Sequence, residues 1–164
     1  MRAWTVWTTV ARTVFVVAFG AGSVIHLVWG RLDPAAYGAF ADTAWGPLAD
    51  LWRGWVMPRI GWLSVVTAVL EAAVAAGLVV GGRVTRGAAA AACGFFVFLL
   101  FLGYGLPRPT TGGHIIVNQL GSLVMLAAMS PAALGCLQPL PQAWRAVLAR
   151  RGAASADPVS PEQS

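Results

Sequence analysis

Long apolar runs separated by polar connections dominate the chain. Four of them reach the roughly 20 residues that a helix needs to cross a bilayer, and they cover residues 11–29, 60–80, 88–106 and 115–137. In lipid every backbone amide must be bonded within the protein, so runs of this kind form helices. Short second and third connections place neighbouring helices antiparallel. The pattern predicts an all-α, integral membrane, antiparallel four-helix bundle.

The first connection has a helical pattern of its own. Apolar residues recur there at spacings of three and four, at Leu48, Leu51, Trp52, Trp55 and Val56. Pro47 suits the first turn of a helix, Asp50 and Arg53 can pair on the polar face, and Pro58 ends the segment. We predict a short amphipathic helix in the first outer loop. Two roles remain open for it, a plain interfacial anchor and a lid over a site between the helices.

The chain changes character after the fourth run. Pro139 and Pro141 end that run, a short arginine-bearing segment follows, and residues 155–164 are polar with two further prolines. We expect a four-helix transmembrane domain over residues 1–137. A cytoplasmic tail over residues 138–164 should follow, disordered toward its end.

Composition and charge support the membrane interpretation. Hydrophobic residues make up 58% of the chain and charged residues 10%, with a mean hydropathy of +0.71. The net charge of +5 would suggest a nucleic-acid partner in a soluble chain, but here the arginines sort by connection. Seven lie on the side of the termini (Arg2, Arg12, Arg83, Arg86, Arg145, Arg150, Arg151) and four on the other (Arg31, Arg53, Arg59, Arg108). The positive-inside rule then predicts a multi-pass membrane protein with both termini cytoplasmic, and no nucleic-acid partner is expected.

One carboxylate, Glu71, lies near the middle of the second apolar run. A charged group at that depth costs a few kcal/mol and usually faces a bundle interior or a cavity. Ser64, Thr67 and Glu71 are spaced three and four apart, so they share one helix face. Small hydroxyls are common as interhelical hydrogen bonds worth about 0.6 kcal/mol each. A carboxyl is a costly choice for that purpose, so Glu71 is the candidate catalytic residue.

The other runs also place polar side chains in their outer halves. These are His26 in the first run, Tyr104 in the third, and His114, Asn118 and Ser122 in the fourth. With Thr67, they are the candidate ligand-binding residues of a cavity floored by Glu71. Each has an ordinary alternative: Tyr104 as an aromatic belt residue, His114 as a solvated interfacial group, and Ser122 as a bundle hydrogen bond.

Recognised cofactor motifs contribute little. His26 and His114 could clamp a haem axially, but two histidines on different helices are a weak signal for one. Cys93 and Cys136 lack the spacing of redox thiols and are interpreted as packing residues. We find no metal-ligand spacing, phosphate-binding loop or serine nucleophile motif. No metal is expected, and the cofactor, if any, stays unknown.

Two stretches carry a family resemblance. The stretch FGAGSVIHLVWGRLDPAAYGAF, followed by a tryptophan-rich loop and then GWLSVVTAVLEAAVAAGLVVGG, resembles the DoxX and DoxX-like family of small four-helix bacterial membrane proteins. Its members have a glycine and then a polar residue late in helix 1, and an acidic residue in a glycine- and alanine-rich helix 2; here these are Gly22 with His26, and Glu71 with Gly77. The resemblance covers residues 12–106. His26 stands where a lysine is common, which favours the DoxX-like branch.

The resemblance implies a membrane subunit of respiratory or redox complexes, with quinone reduction in some members. A quinone needs an apolar slot, hydrogen-bond partners and protons, which Glu71, His26, Asn118 or Tyr104 could supply. Electrons would come from a soluble or membrane redox partner protein. Two other classes stay open: a small proton-linked transporter or lipid-binding protein with Glu71 as its gate, and a non-catalytic membrane scaffold.

Overall fold

All the secondary structure that the protein shows is helical. The computed structural model describes residues 2–102, 112–135 and 137–155, without the side chains of residues 2–3, 112–119, 151 and 153–155. The α-helices in these ranges are α1 (Arg2–Leu32), α2 (Phe40–Thr43), α3 (Gly46–Leu51), α4 (Ile60–Val80), α5 (Gly82–Phe101), α6 (Gly112–Leu134) and α7 (Leu140–Ser155). A 3₁₀ helix, Pro34–Ala39, precedes α2. The all-α prediction is confirmed.

Three helical stretches are long and apolar enough to cross a membrane. They are Trp4–Leu32, Gly46–Val80 and Gly82–Phe101. The helix α4 has the bounds predicted for the second run, whereas α5 begins at Gly82 rather than residue 88, because the turn needs only the two glycines Gly81 and Gly82. The helix α6 corresponds to the fourth predicted run, and Leu120–Leu134 within it is a shorter apolar helix.

The four longest helices pack side by side. The helix α1 packs along α4, α4 against α5, α5 against α6, and α6 against α1. Gly22 and Gly30 of α1 lie against Glu71 and Ser64 of α4, so residue numbers rise in opposite directions and the two helices are antiparallel. We call the end that carries residues 33–59 the loop end. The opposite end, with the α4 to α5 turn and α7, is the tail end.

The turn between α4 and α5 depends on Gly81. Its φ of 98° lies in the region that favours glycine. A Cβ added there would also sit 2.7 Å from the backbone nitrogen of Pro139. Thr85 stabilises the turn, since its Oγ1 accepts from the Gly81 amide at 2.7 Å and donates to the Gly77 carbonyl at 2.8 Å. Gly82, which follows it, also has a positive φ of 60°, so two glycines reverse the chain and leave room for the tail.

The tail forms a docked helix rather than a short free segment. The helix α7 packs on α1 and α4 through Leu140, Ala143 and Val147, which are buried. The Trp144 indole Nε1 donates to Thr13 Oγ1 of α1 at 2.9 Å. The expected disorder over residues 155–164 lies outside the described residues, except that Ser155 ends α7.

Arg12 is a buried capping residue rather than a surface arginine at the start of a helix. It lies ten residues into α1 and is 1% exposed. Its guanidinium donates through Nε to the Leu78 carbonyl at 3.0 Å, and through Nη1 to the Gln138 carbonyl at 2.9 Å. Carbonyls in the last turn of a helix have no partner within the helix. Arg12 therefore caps α4 and joins α1, α4 and the tail.

The segment between α1 and α4 folds back over the loop end. Trp52 Nε1 donates to the Tyr37 carbonyl at 2.8 Å, and the Trp45 amide donates to the Phe101 carbonyl of α5 at 2.9 Å. Beneath the segment is a small core of Tyr37, Ala41, Ala44, Ala49, Trp52, Ile60 and Leu102. The segment is thus fixed both to itself and to α5.

The predicted amphipathic helix is present in a different form. The helix α3 continues through a π turn (Trp52–Val56) and a 3₁₀ turn (Met57–Arg59) into α4, so Pro58 does not end it. Arg53 pairs with Asp42 at 3.2 Å and not with Asp50, because the loop brings α2 beside the π turn. The apolar residues of the predicted helix are only partly buried, since Trp52 packs inward while Leu51 and Trp55 are exposed.

The capping role of Arg12 gives a first prediction. We expect Arg12→Leu to lower the free energy of unfolding by about 2–4 kcal/mol, because two carbonyls lose a charged donor. Arg86→Leu is the matched control, since Arg86 is exposed on α5 and should change stability by no more than about 0.5 kcal/mol. Unfolding by added dodecyl sulfate in mild detergent, followed by circular dichroism, measures both. Equal losses in the two variants would contradict the capping role.

Candidate functional site

Glu71 lies directly against the backbone of α1. Glu71 is 7% exposed. A Cβ added to Gly22 would be 2.7 Å from Glu71 Oε2 and 3.0 Å from Glu71 Oε1. Only a glycine at position 22 leaves room for this carboxyl group. Among the described residues, Glu71 Oε2 has no hydrogen-bond partner. A buried carboxyl oxygen without a partner is costly and is typical of functional sites.

His26 links Glu71 to the loop segment, which is residues 33–59 between α1 and α4. It lies one helical turn after Gly22 on α1, so its ring reaches the same face. His26 Nε2 is 3.7 Å from Glu71 Oε1, and Nδ1 is 2.7 Å from the Tyr37 hydroxyl. The first distance is longer than a hydrogen bond of about 2.7–3.2 Å, while the second is a strong one. The three side chains form a row from α4 through α1 to the loop.

Tyr37 is the member of this row that the sequence analysis missed. Asp33 starts the 3₁₀ helix that carries it by accepting from the Ala36 amide at 3.3 Å. The side chain of Tyr37 is buried between α1 and the π turn. The backbone carbonyl of Tyr37 accepts a hydrogen bond from the Trp52 indole. The Asp33 and Pro34 pair is a helix-start signal. That signal predicts the local turn, but not that the tyrosine folds back onto His26.

Tyr37 is protonated in its bond with His26. Burial raises the pKa of the Tyr37 phenol, and the negative charge of Glu71 raises that pKa further. The neutral phenol can donate to His26 Nδ1 or accept from it, and the tautomer of the imidazole decides which. When Tyr37 donates, the imidazole proton is on Nε2, the nitrogen that faces Glu71. The three side chains are therefore a candidate path for protons, with the 3.7 Å between His26 and Glu71 as its longest step.

A cavity of about 240 Å³ lies at the loop end, between α4, α5 and the loop segment. Four polar side chains line it: His26, Tyr37, Ser64 and Thr67. Its other walls are apolar and largely aromatic, with Phe40, Trp52, Trp55, Phe95 and Phe98 among them. An apolar cavity with a few convergent polar groups is the usual form of a small-molecule site.

Ser64 and Thr67 contribute hydroxyls to this cavity without bridging helices. Ser64 Oγ donates to the Gly61 carbonyl at 3.1 Å, and Thr67 Oγ1 donates to the Leu63 carbonyl at 3.0 Å. Both bonds stay within α4, so each oxygen retains acceptor capacity. Ser64 also packs closely on Gly30 of α1.

Two other predicted site residues, Glu71 and Ser122, are not among the described residues that line the cavity. Glu71 lies 3.7 Å from His26, which does line it, so Glu71 is not the cavity floor. Ser122 is buried on α6. His114 and Asn118 lie on α6, but their side chains, and the whole of Tyr104, are outside the described residues.

Metal chemistry and external similarity add no further residues. Across residues 2–102 and the described parts of α6 and α7, no three His, Cys, Asp or Glu side chains are grouped so as to hold a metal ion. The chain matches no protein-family model, no curated protein and no solved structure. Its function therefore has to be inferred from the cavity and from the row of Glu71, His26 and Tyr37.

The contact between Gly22 and Glu71 gives a second prediction. We expect Gly22→Ala to lower the free energy of unfolding by about 1–3 kcal/mol, because the new methyl group overlaps the carboxyl oxygens. Gly20→Ala is the control, because a Cβ there meets nothing within 4 Å. It should be neutral or stabilise by up to about 1 kcal/mol through better helix propensity.

A double-mutant cycle identifies the cause of that loss. In a Glu71→Ala background the added methyl group has room, so Gly22→Ala should cost less there than in the wild type. Detergent unfolding of the four proteins measures the coupling. An unchanged cost would mean that the two side chains do not meet.

Proposed function

We propose that the chain is a multi-pass protein of the bacterial plasma membrane, in which α1, α4, α5 and α6 form an antiparallel four-helix transmembrane bundle. The three membrane-length apolar helices and the packing of α6 between α5 and α1 support this. Arginines are concentrated at the tail end, whereas the exposed acidic residues of the described chain, Asp33, Asp42 and Asp50, lie at the loop end. By the positive-inside rule, the tail end and both termini are cytoplasmic.

The ligand we propose for the loop-end cavity is a quinone or a similar lipophilic molecule with a hydrogen-bonding head. The apolar and aromatic walls suit a flat ring. A quinone carbonyl only accepts hydrogen bonds, so Tyr37 would turn its hydroxyl proton from His26 to one ring carbonyl. Ser64 or Thr67 would release its bond to an α4 carbonyl and donate to the second ring carbonyl. The volume of about 240 Å³ is below the roughly 300–1,000 Å³ of drug-sized sites. The cavity therefore suits a ring headgroup and not a long chain.

The single observation that carries this proposal is the position of His26 between Glu71 and Tyr37, at the edge of the cavity. Reduction of a quinone to a quinol takes up two electrons and two protons at its two carbonyl oxygens. In this proposal Tyr37 and His26 pass one proton to the carbonyl that Tyr37 bonds, Glu71 replaces that proton, and the other carbonyl takes the second proton from water. The electrons would come from a soluble or membrane redox partner protein, since the described residues hold no redox group of their own.

Membership of the DoxX-like family is part of the same proposal. The residues that carry the resemblance take part in helix contacts: Gly22 meets Glu71, and Gly77 packs on Ala88 of α5 at a distance that leaves no room for a Cβ. His26 completes the pair on α1. These contacts give physical reasons for those residue types at those positions.

A proton-linked transporter is the second candidate. The buried Oε2 of Glu71, which has no hydrogen-bond partner among the described side chains, favours it, because a carboxyl group that takes up and releases a proton can drive a gate. Proton-coupled flux in liposomes, with no retained quinone, would support this candidate over the first. A stoichiometric partner protein without any ligand would support a scaffold.

The third prediction tests the quinone directly. Protein purified in mild detergent should retain a near-stoichiometric quinone, detected by mass spectrometry of its organic extract. Glu71→Gln keeps shape and size but loses the titratable proton, so we expect it to fold and to lose the quinone or its reduction at least tenfold. Asp50→Asn is the control, since it makes the same chemical change at an exposed position.

The possible results separate the candidates. A quinone in the wild type that Glu71→Gln loses and Asp50→Asn keeps supports the proposal. Absence of quinone from all three proteins, after purification from membranes that contain it, would overturn it.

A further inference from the structure

A second, smaller cavity lies on the other side of His26 and Tyr37. It measures about 190 Å³ and lies between α1 and the 3₁₀ helix, with Ile25, His26, Trp29, Ala36, Tyr37 and Phe40 as its lining. Three of these residues, His26, Tyr37 and Phe40, also line the loop-end cavity. The two cavities are therefore neighbours that share one wall.

The smaller cavity opens sideways on the surface of α1. Ile25 is 48% exposed and Trp29 is 51% exposed, and Ala36 is exposed on the loop side. On a membrane-spanning α1 these outward residues face lipid, near the end of the span where tryptophan is common. The opening thus faces the bilayer and not the water.

The shared wall is held by side-chain contacts rather than by backbone. Tyr37 bonds His26 at 2.7 Å, and the Tyr37 and Phe40 rings lie 6.2 Å apart. Rotation of the His26 and Tyr37 side chains, which breaks their hydrogen bond, would connect the two cavities without separating α1 from α4.

We propose that the smaller cavity is a subsite for the hydrocarbon chain of the lipophilic ligand, and the route by which that ligand enters from the bilayer. The inference rests on the proposed function, because it needs a headgroup in the loop-end cavity. The volume of the loop-end cavity, about 240 Å³, suits a headgroup and not a headgroup with a long chain, and the adjoining cavity is apolar except for His26 and Tyr37. The chain of the ligand can leave through the side of α1 into lipid.

Energetics define what this subsite does. A chain that moves from lipid into an apolar groove leaves one apolar medium for another, so it gains packing contacts but little from the hydrophobic effect. The subsite therefore controls access and chain position more than affinity. Blocking it should slow ligand exchange while leaving the polar contacts of the headgroup in place.

The test uses a benzoquinone with a short alkyl chain that ends in a photoreactive diazirine. The full chain is reconstituted in phosphatidylcholine nanodiscs, illuminated with the probe, and digested for mass spectrometry. We expect the label on Ile25, Trp29 or Ala36. We also expect that an excess of a quinone with a decyl chain and no diazirine prevents this labelling.

Two neighbouring alanines supply a matched pair of variants. Both Ala35 and Ala36 are exposed on the same 3₁₀ helix, but only Ala36 lines the smaller cavity. Ala36→Trp should reduce the label at least tenfold, whereas Ala35→Trp should leave it unchanged. Ile25→Trp and Val24→Trp form a second pair on α1, in case Ala36→Trp fails to fold.

Each result decides a different question. Two results would overturn the chain subsite and leave the proposed function standing. One is label found only on residues of the loop-end cavity, such as Phe98 and Leu99. The other is equal labelling of both variants in a matched pair. Absence of any competed label from the wild-type protein would overturn the proposed function itself.

Discussion

The close packing of α1 on α4 determines where every other part of the site can lie. Two glycines of α1 allow it, because a side chain at Gly22 would overlap Glu71 and one at Gly30 would overlap Ser64. In lipid, helices associate through close van der Waals contact and not through exclusion of water, so small residues at the contact decide how near they come. This contact holds the carboxyl group of Glu71 beneath the ring of His26.

The loop segment forms the part of the site that the helices do not. The Trp45 amide donates a hydrogen bond to α5, and the Trp52 indole donates one to the Tyr37 carbonyl, and these two bonds hold Tyr37 over the end of α1. The cavity at the loop end has helices on two sides and this segment on the third. A segment that only anchored the protein at the interface would not need its one buried tyrosine to bond a histidine of α1. Its contacts agree better with the role of a cover over the site.

Local pattern predicts the helices well and their long-range contacts less well. The run that becomes α4 is apolar apart from Ser64, Thr67 and Glu71 and ends at two glycines, so its bounds follow from composition. Pairing of His26 with Glu71 is also foreseeable, because a buried carboxyl group needs a polar neighbour at similar depth. Tyr37 and the docking of α7 are not foreseeable in this way. Both depend on where a connecting segment folds back, and the periodicity of residues 33–59 or 140–155 does not encode that.

Arg12 illustrates how biosynthesis restricts the assembly of such a protein. The chain is made from its N-terminus, so Arg12 exists long before its acceptors Leu78 and Gln138, which follow it by 66 and 126 residues. During that interval its charge has to be solvated by water or lipid headgroups, which keeps the tail end of α1 at the membrane surface. Only when Gln138 has emerged can the guanidinium complete its bonds. The helix α1 is therefore made before α4 and the tail, and it is fixed at that end only after both of them.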